Sequence, residues 1–455
     1  MTLLLSKIPK FKSLKLNKSS FRYLSTQRTD VGIVGGGACG LAIGCALGTQ
    51  LLKNPLNVSL PTISIIDRNK LEVEGNLPLT EEGKINYSNR VISLTQKNCE
   101  FLKEIGAWNL IDHSRITAFS NMKVTDADNI PSLNFNLDEI SAPQMGYIIE
   151  ISNLQNALLF RLNELKLKLN INLIDKADVL DIKRGEDSWP KLELSEDRSL
   201  ECRLLIGADG AQSPVRKFGN IDSTGWDYDQ LGLVATLQTQ SLNNHTAYQR
   251  FLPTGPIALL PLNQNQHSLV WSTRPHIAPV LKTLSPELFS KLVQAAFTAS
   301  IPDLEFLIER AMNKDLTLED LDLSWRPPSN LEYVDEFPKI EHVQDKSRAM
   351  FPLKLRHVEK YCDDRLALAG DAAHTVHPLA GQGLNLGLMD ARSLAYTLAH
   401  GHNTGQDLGS IHLLKHYSTE QYTRNLIMLS ATDKLYKLFS NKSDLLSQDS
   451  IRYLG

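Results

Sequence analysis

The chain has 455 residues, with 48 Lys and Arg against 51 Asp and Glu, a formal charge of −3, 42% hydrophobic and 22% charged residues. That length makes two or three domains of ~150 residues each, and the near-neutral balance excludes the cationic footprint of a nucleic-acid binder. No run reaches the ~18 apolar residues of a membrane-spanning helix, and the five scattered cysteines (Cys39, Cys45, Cys99, Cys202, Cys362) form no CxxC pair, which excludes a zinc ribbon or disulfide framework and fits a reducing compartment.

The charge is uneven along the chain. Residues 1–28 carry Lys7, Lys10, Lys12, Lys15, Lys18, Arg22 and Arg28, with five serines and no acid. A basic, Ser-rich, acid-free amphipathic N-terminus predicts a mitochondrial transit peptide, and its lysines interrupt any apolar core of a secretory signal. Taking that +7 from the total of −3 leaves −10 on the rest.

The folded pattern is expected from Asp30. Asp30–Val34 reads as a buried strand that runs into Gly35-Gly36-Gly37-Ala38-Cys39-Gly40 and then an apolar stretch, Leu41–Leu47. Strand, GxGxxG at Gly35, Gly37 and Gly40, then helix is the dinucleotide-binding arrangement. The first glycine makes the tight turn, the second admits a pyrophosphate to the backbone, and the third lets helix pack closely on strand. The helix N-terminus adds free N–H groups and a positive dipole end. The next strand, Thr62–Ile66, ends at Asp67, an acid placed to accept hydrogen bonds from an adenosine ribose. The polar stretch 49–61 reads as a loop insertion that lengthens the usual interval. The turn alone leaves NAD and FAD both open.

Two later segments bear on that choice. Leu204–Gly207 is an apolar strand leading into Ala208-Asp209-Gly210, and Leu366–Ala369 is another leading into Gly370-Asp371. The second continues through His374, His377, Pro378 and Gly381 to Gly383-Leu384-Asn385 and a helical run to Leu398. An acid at this strand end can bind a polyol, and the new helix N-terminus suits an electron-rich ring edge. A plain NAD-dependent dehydrogenase needs no second anchor of this kind. His374-x-x-His377 has metal-ligand spacing but sits inside this segment, so packing against the cofactor loop is the preferred reading, with His377 also placed to polarise a substrate phenol. Between them, residues 226–274 are short strand-like runs punctuated by Pro and Gly, which predicts an antiparallel sheet. Ser285–Met312 reads as a helix, 316–346 as a polar connection, and Leu413–Leu438 as a closing amphipathic helix. Arg250 and Phe251 on the sheet are candidates for a substrate channel or for core.

Gly35–Gly40, Ala208-Asp209-Gly210 and Gly370-Asp371 together resemble the class A flavoprotein monooxygenases, the para-hydroxybenzoate hydroxylase family. The run "DRLALAGDAAHTVHPLAGQGLNLGLMDARSL", with "SNRVISLT", "RFLPTGPIALLPL" and "FPLKL", is similar to its ubiquinone-biosynthesis branch over residues 30 to about 440. The resemblance implies an α/β chain: a Rossmann-like FAD-binding domain from 30–115, 145–220 and 345–440, with an inserted antiparallel-sheet substrate domain at 221–344 and part of 116–144. A C-terminal helix and a tail, 441–455, would follow. It implies that Gly35, Gly37 and Gly40 cradle the FAD pyrophosphate, Asp67 the adenosine ribose and Asp371 the ribityl chain. Arg90 would reach toward flavin and pyrophosphate, Asp209 would touch FAD, Pro378 would lie beside the isoalloxazine, and Gly383, Leu384 and Asn385 would meet its pyrimidine edge. No side chain is expected as nucleophile.

The branch implies hydroxylation by O₂ at ring carbon C5 of a polyprenyl-4-hydroxybenzoate-type intermediate, through a flavin C4a-hydroperoxide. Implied partners are a ferredoxin and its reductase, or NAD(P)H, as electron donor and the coenzyme Q biosynthetic complex, with peripheral attachment to the matrix face of the mitochondrial inner membrane. A FAD-dependent prenyl-chain reductase or epoxidase, and a non-catalytic prenyl-binding protein of related fold, are the alternatives. Two departures from the family stand out: Ile151-Ser152 replaces a common polar flavin contact, and the chain stops at Gly455, short of a further helical segment.

Overall fold

The computed structural model describes residues 26–440, except 54–58, 76–78, 80–84, 127–131, 138–143, 186, 241–244, 324–336 and 378–380. The basic segment 1–25, Pro378 and the tail 441–455 lie outside the described residues.

The first strand, Gln27–Val34, sits at the centre of a sheet with mostly parallel order: Ile171–Ile174, Ile63–Ile66, Gln27–Val34, Arg198–Gly207, Leu366–Leu368. It opens ahead of the expected Asp30, because Arg28 pairs with Glu201 (2.8 Å) and Gln27 is in register with Leu200. Strands buried on both faces read as continuous apolar runs, and Val31, Ile33, Ile63, Ile65 and Ile206 are all fully buried. The helices Ala38–Lys53, Ile151–Lys166 and Gly383–Asn403 share one hydrophobic core with these strands. Gly44 lets the first helix close on Ile65 and Leu162, where a Cβ would meet both side chains.

A second, nine-stranded sheet runs in the order His374–Thr375, Ala349–Val358, Ser223–Gln240, Gln266–Thr273, Gly255–Pro261, Thr246–Leu252, Asn121–Thr125, Ser132–Asn136. It is antiparallel except where Thr246–Leu252 meets Asn121–Thr125. The strand Lys339–Val343, within the stretch expected as a connection, adds to its side. Ala349–Val358 also belongs here and not to the parallel sheet, so the boundary expected at 345 falls inside this layer. The expected helix Ser285–Met312 is two, Pro286–Thr298 and Ile301–Met312. Ser300 starts the second by accepting the Asp303 N–H (3.3 Å), with a proline in its first turn, a stop-and-restart signature.

A small sheet of Val91–Thr95, Gly146–Glu150 and Thr117–Phe119 bridges the two layers. At its edge the buried Arg115 donates to both Glu150 oxygens (2.7 and 2.9 Å), and Glu150 also accepts the Ser88 N–H (2.6 Å). Breaking such a pair costs about 3–5 kcal/mol. This one fixes the loop that carries Arg90.

The chain also crosses between the layers at one compact turn. Leu366–Leu368 ends the parallel sheet, Gly370–Ala372 turns, and His374–Thr375 pairs with Arg356 and His357 on the edge of the second sheet. Among the described residues no helix is long and apolar enough to cross a membrane.

Candidate cofactor and substrate site

The glycine turn is built as its spacing predicts. Gly35 holds φ +113°, and a Cβ there would overlap the Ala208 carbonyl; only glycine takes that conformation freely. A Cβ on Gly40 would overlap the Gly35 carbonyl oxygen, so the third glycine is what lets helix touch strand. Gly37 differs from both, since a Cβ there meets no protein atom within 4 Å. Protein packing does not require a glycine at 37, whereas a ligand approaching the backbone would. The Leu41 N–H bonds back to the Gly37 carbonyl (3.0 Å), leaving the preceding N–H groups at the helix end for an anion. Asp67 is oriented by the Gly36 N–H (2.6 Å) and the Asn69 N–H (2.7 Å).

The distal motifs come to the same place. Cys39, inside the glycine turn, donates its thiol to the Gly387 carbonyl (3.3 Å) and lies against Gly370. The first helix, the Gly370 turn and the later helix therefore touch. Asp371 is solvent-exposed, yet enough protein surrounds it that desolvation raises its carboxyl above the usual range, against the pull of His374 and Arg90. Arg90 is exposed, and its positive charge favours the Asp371 carboxylate. Asp209 accepts the Val215 N–H on Oδ2 (3.3 Å), while its buried Oδ1 has no hydrogen-bond partner. Burial raises its pKa too. Buried acceptors normally find a donor, and a cofactor hydroxyl is one such donor.

At the far end, the first hydrogen bond of the Gly383 helix is Leu386 N–H to Gln382 O (2.9 Å), so the N–H groups of Gly383, Leu384 and Asn385 lie in its open first turn. The Asn385 side chain acts as a tie. It donates to Ser93 O (2.7 Å) and accepts from Asn98 (2.6 Å), pinning this helix end to the small sheet. The residues present thus fit a FAD: an open glycine cradle, an acid at the second strand end, a buried orphan carboxylate oxygen and a second open helix end.

His377 is buried between the rings of Tyr228 (4.8 Å) and Tyr436 (5.1 Å), and burial lowers its pKa to about 4. It is neutral at neutral pH and lies against aromatic rings. His374 instead bonds Asp390 (2.6 Å), with both side chains fully buried. Arg250 does not face a channel: it is buried and donates to Ala296 O (3.1 Å) and Ala299 O (2.9 Å), capping the end of the helix Pro286–Thr298. Phe251 is buried as well.

Sequence reasoning missed Asp390, Glu150 and the tie made by Asn385. Asp390 carries a signal: it falls four residues from Leu386 and four from Leu394, on the apolar stripe of its helix. An acid there needs buried partners.

Comparison with known proteins gives a consistent picture. A family model described as "FAD binding domain" matches residues 84–315 and 335–429. The ubiquinone biosynthesis monooxygenase COQ6, mitochondrial, of Saccharomyces cerevisiae is 36% identical over 428 residues, covering 90% of this chain and 87% of that protein. Its Homo sapiens counterpart is 36% identical over 421 residues, 91% and 86% of the two chains. Among solved structures, Pseudomonas aeruginosa PqsL in complex with 2-aminobenzoylacetate superposes with TM-score 0.66 at 19% identity, covering 91% of this chain and 97% of that one. The p-nitrophenol 4-monooxygenase PnpA of Pseudomonas putida gives 0.64 at 16% identity, covering 93% and 92%. At these identities the structures share the fold alone.

Two outcomes follow from this geometry. Gly37→Ala should leave the thermal midpoint of the FAD-free protein unchanged or slightly higher yet weaken FAD retention, whereas Gly40→Ala should cost about 1–3 kcal/mol of stability before any cofactor is added. Flavin loss in Gly37→Ala that merely tracked unfolding would contradict the cradle. The second outcome concerns pH. Burial holds His357 and His377 neutral down to about 4 and His267 to about 3, while in the unfolded chain each takes its proton near 6.5. The unfolded state then binds more protons, so stability falls as pH falls. His374 opposes this with one site: burial disfavours its charge, but Asp390 and Asp371 raise its pKa, adding stability that is lost as pH rises through the raised value. The thermal midpoint should therefore drop between about pH 6.5 and pH 5, before most carboxylates titrate; a flat profile would refute the neutral imidazoles.

Proposed function

The chain belongs to the FAD-binding-domain family and, within it, to the ubiquinone biosynthesis monooxygenases, and from that premise we propose that it hydroxylates C5 of a polyprenyl-4-hydroxybenzoate-type ring. It is a mitochondrial FAD-dependent monooxygenase acting on a prenylated aromatic substrate with O₂. Membership at this identity over most of the chain displaces the prenyl-chain reductase, epoxidase and non-catalytic readings.

The observation that carries the ring-hydroxylation reading is the meeting of the two layers at Gly370–Ala372. Gly35, Gly37 and Gly40 would hold the FAD pyrophosphate with Arg90, Asp67 its ribose, Asp209 and Asp371 its hydroxyls, and Gly383, Leu384 and Asn385 its ring edge, beside the turn where the parallel sheet passes into the antiparallel one. When bound and reduced, FAD supplies the activation of O₂: one oxygen atom becomes the ring hydroxyl and the other leaves as water, with two electrons and two protons consumed. The chain's own residues orient the ring and exclude water. Tyr228, His377 and Tyr436 form an aromatic wall, and Tyr228 is anchored by donating its hydroxyl to Asp433 (3.0 Å). The neutral, fully buried His377 packs between the two tyrosine rings and stiffens that wall, the packing reading of the sequence and not the phenol contact. Electrons come from a ferredoxin and its reductase or from a reduced nicotinamide. The enzyme works peripherally on the matrix face of the inner membrane with the coenzyme Q biosynthetic complex, after loss of a transit peptide that ends ahead of the expected residue 28, since Gln27 and Arg28 belong to the first strand.

Two measurements test this reading together. Asp371→Ala should purify folded but colourless, without the visible flavin bands of the wild type. A strain lacking the protein should accumulate the prenylated ring without its C5 hydroxyl, as read by mass spectrometry; normal ubiquinone in that strain would sink the substrate assignment.

A further inference from the structure

The chain after residue 28 is acidic, yet its proposed substrate carries a polyprenyl tail that partitions into a bilayer. The closing helix, Ile411–Ser440, has one face that reverses this charge. Gln421, Asn425, Leu429, Thr432 and Asp433 turn inward and are buried. Opposite them Ile427 stands 65% exposed, and Leu426, on the flank, 42%. The outer pole of a surface helix is ordinarily polar; here an isoleucine occupies it. Around that pole Arg424, Lys434 and Lys437 are exposed, with only the small Ser430 and Ala431 between. The only acid from 421 to 438 is Asp433, which is buried and bonds Lys437 (2.8 Å) and Tyr228. Lys437 also lies over the ring of Trp226 (4.6 Å), itself 44% exposed on the substrate sheet.

We propose that this face, from Arg424 to Lys437 with Trp226 at its border, docks the enzyme on an anionic lipid surface. An exposed isoleucine amid Arg424, Lys434 and Lys437, with no exposed acid on the helix from 421 to 438, is the composition of an interfacial helix, and the charge complements lipid phosphate where the body of the protein would be repelled. The inference rests on the prenylated-substrate reading, and the helix supplies the connection. Tyr436, one residue from Lys437, stacks near His377 (5.1 Å) in the aromatic wall of the candidate site.

The test uses the full-length, FAD-loaded enzyme sedimented with vesicles of phosphatidylcholine alone or mixed equally with phosphatidylglycerol. The wild type should sediment with the mixed vesicles and be released by salt, staying in solution with phosphatidylcholine alone. Lys434→Gln should weaken binding about fivefold, and Ile427→Asn should weaken it further, both keeping the wild-type flavin spectrum and thermal midpoint. The proposal is overturned if both variants bind as the wild type does, which would assign attachment to the basic segment 1–28. It is equally overturned if Ile427→Asn instead splits a dimer without touching vesicle binding, which would assign the face to a second copy. The two readings fail separately. Vesicle binding as expected in an enzyme whose loss leaves ubiquinone normal would sink the function and spare the docking face. Indifference to vesicles in an enzyme whose loss abolishes ubiquinone would do the reverse.

Discussion

The Asp390 carboxylate accepts the Gly370 N–H (2.9 Å) and bonds His374 (2.6 Å) through the same oxygen, and its other oxygen accepts from Asn425 (2.9 Å). Asn425 also donates to the Tyr361 hydroxyl (3.0 Å), which meets His357 (3.2 Å). Asp390, His374 and Asn425 are all buried. One acid on the Gly383 helix thereby fixes the turn that bears Asp371, the edge strand of the substrate sheet and the closing helix. Low local dielectric makes such a buried network costly to break when one member is removed.

The rest of the site depends on that turn. Gly370 at φ +59° lies against Cys39 of the glycine turn, so the position of Asp371 relative to that turn is set by contacts among three chain-distant segments. Glu150 plays the corresponding part for the Arg90 loop and Asn385 for the second helix end. The residues expected to contact the cofactor are few; those that hold them in place are buried polar groups with partners far away in the chain. This is the usual physical demand on a site in which orientation contributes most of the rate.

Much of this is legible in the sequence, for a local reason. The glycine turn, the strand ends at Asp67, Asp209 and Asp371, and the helix starting at Gly383 are each written within about ten residues, in backbone conformations that few residue types allow. What escapes is long-range. Lys339–Val343 lies in a stretch of polar and Pro-containing sequence and becomes a strand only because Ser223–Gln240 offers it an edge. Ala349–Val358 belongs to the second sheet because Ser223–Gln240 pairs with it, and the chain crosses to the parallel sheet only after Val358, at Cys362–Asp363, which no periodicity records. The break at Ser300 is written in its Ser-x-Pro-Asp cap, but the apolar period on either side masks it. Arg250 as a helix-end cap cannot be seen without the fold, since its acceptors, Ala296 and Ala299, are backbone carbonyls.

The central claim is that the Asp390 network holds the cofactor turn, which makes FAD affinity depend on a residue that does not touch FAD. The most direct measurement is the dissociation constant of FAD for Asp390→Asn, titrated into apoprotein shown by circular dichroism to be folded. The account predicts a folded protein that binds FAD at least tenfold more weakly than the wild type, a loss of about 1.4 kcal/mol or more. A folded variant with wild-type affinity would contradict it.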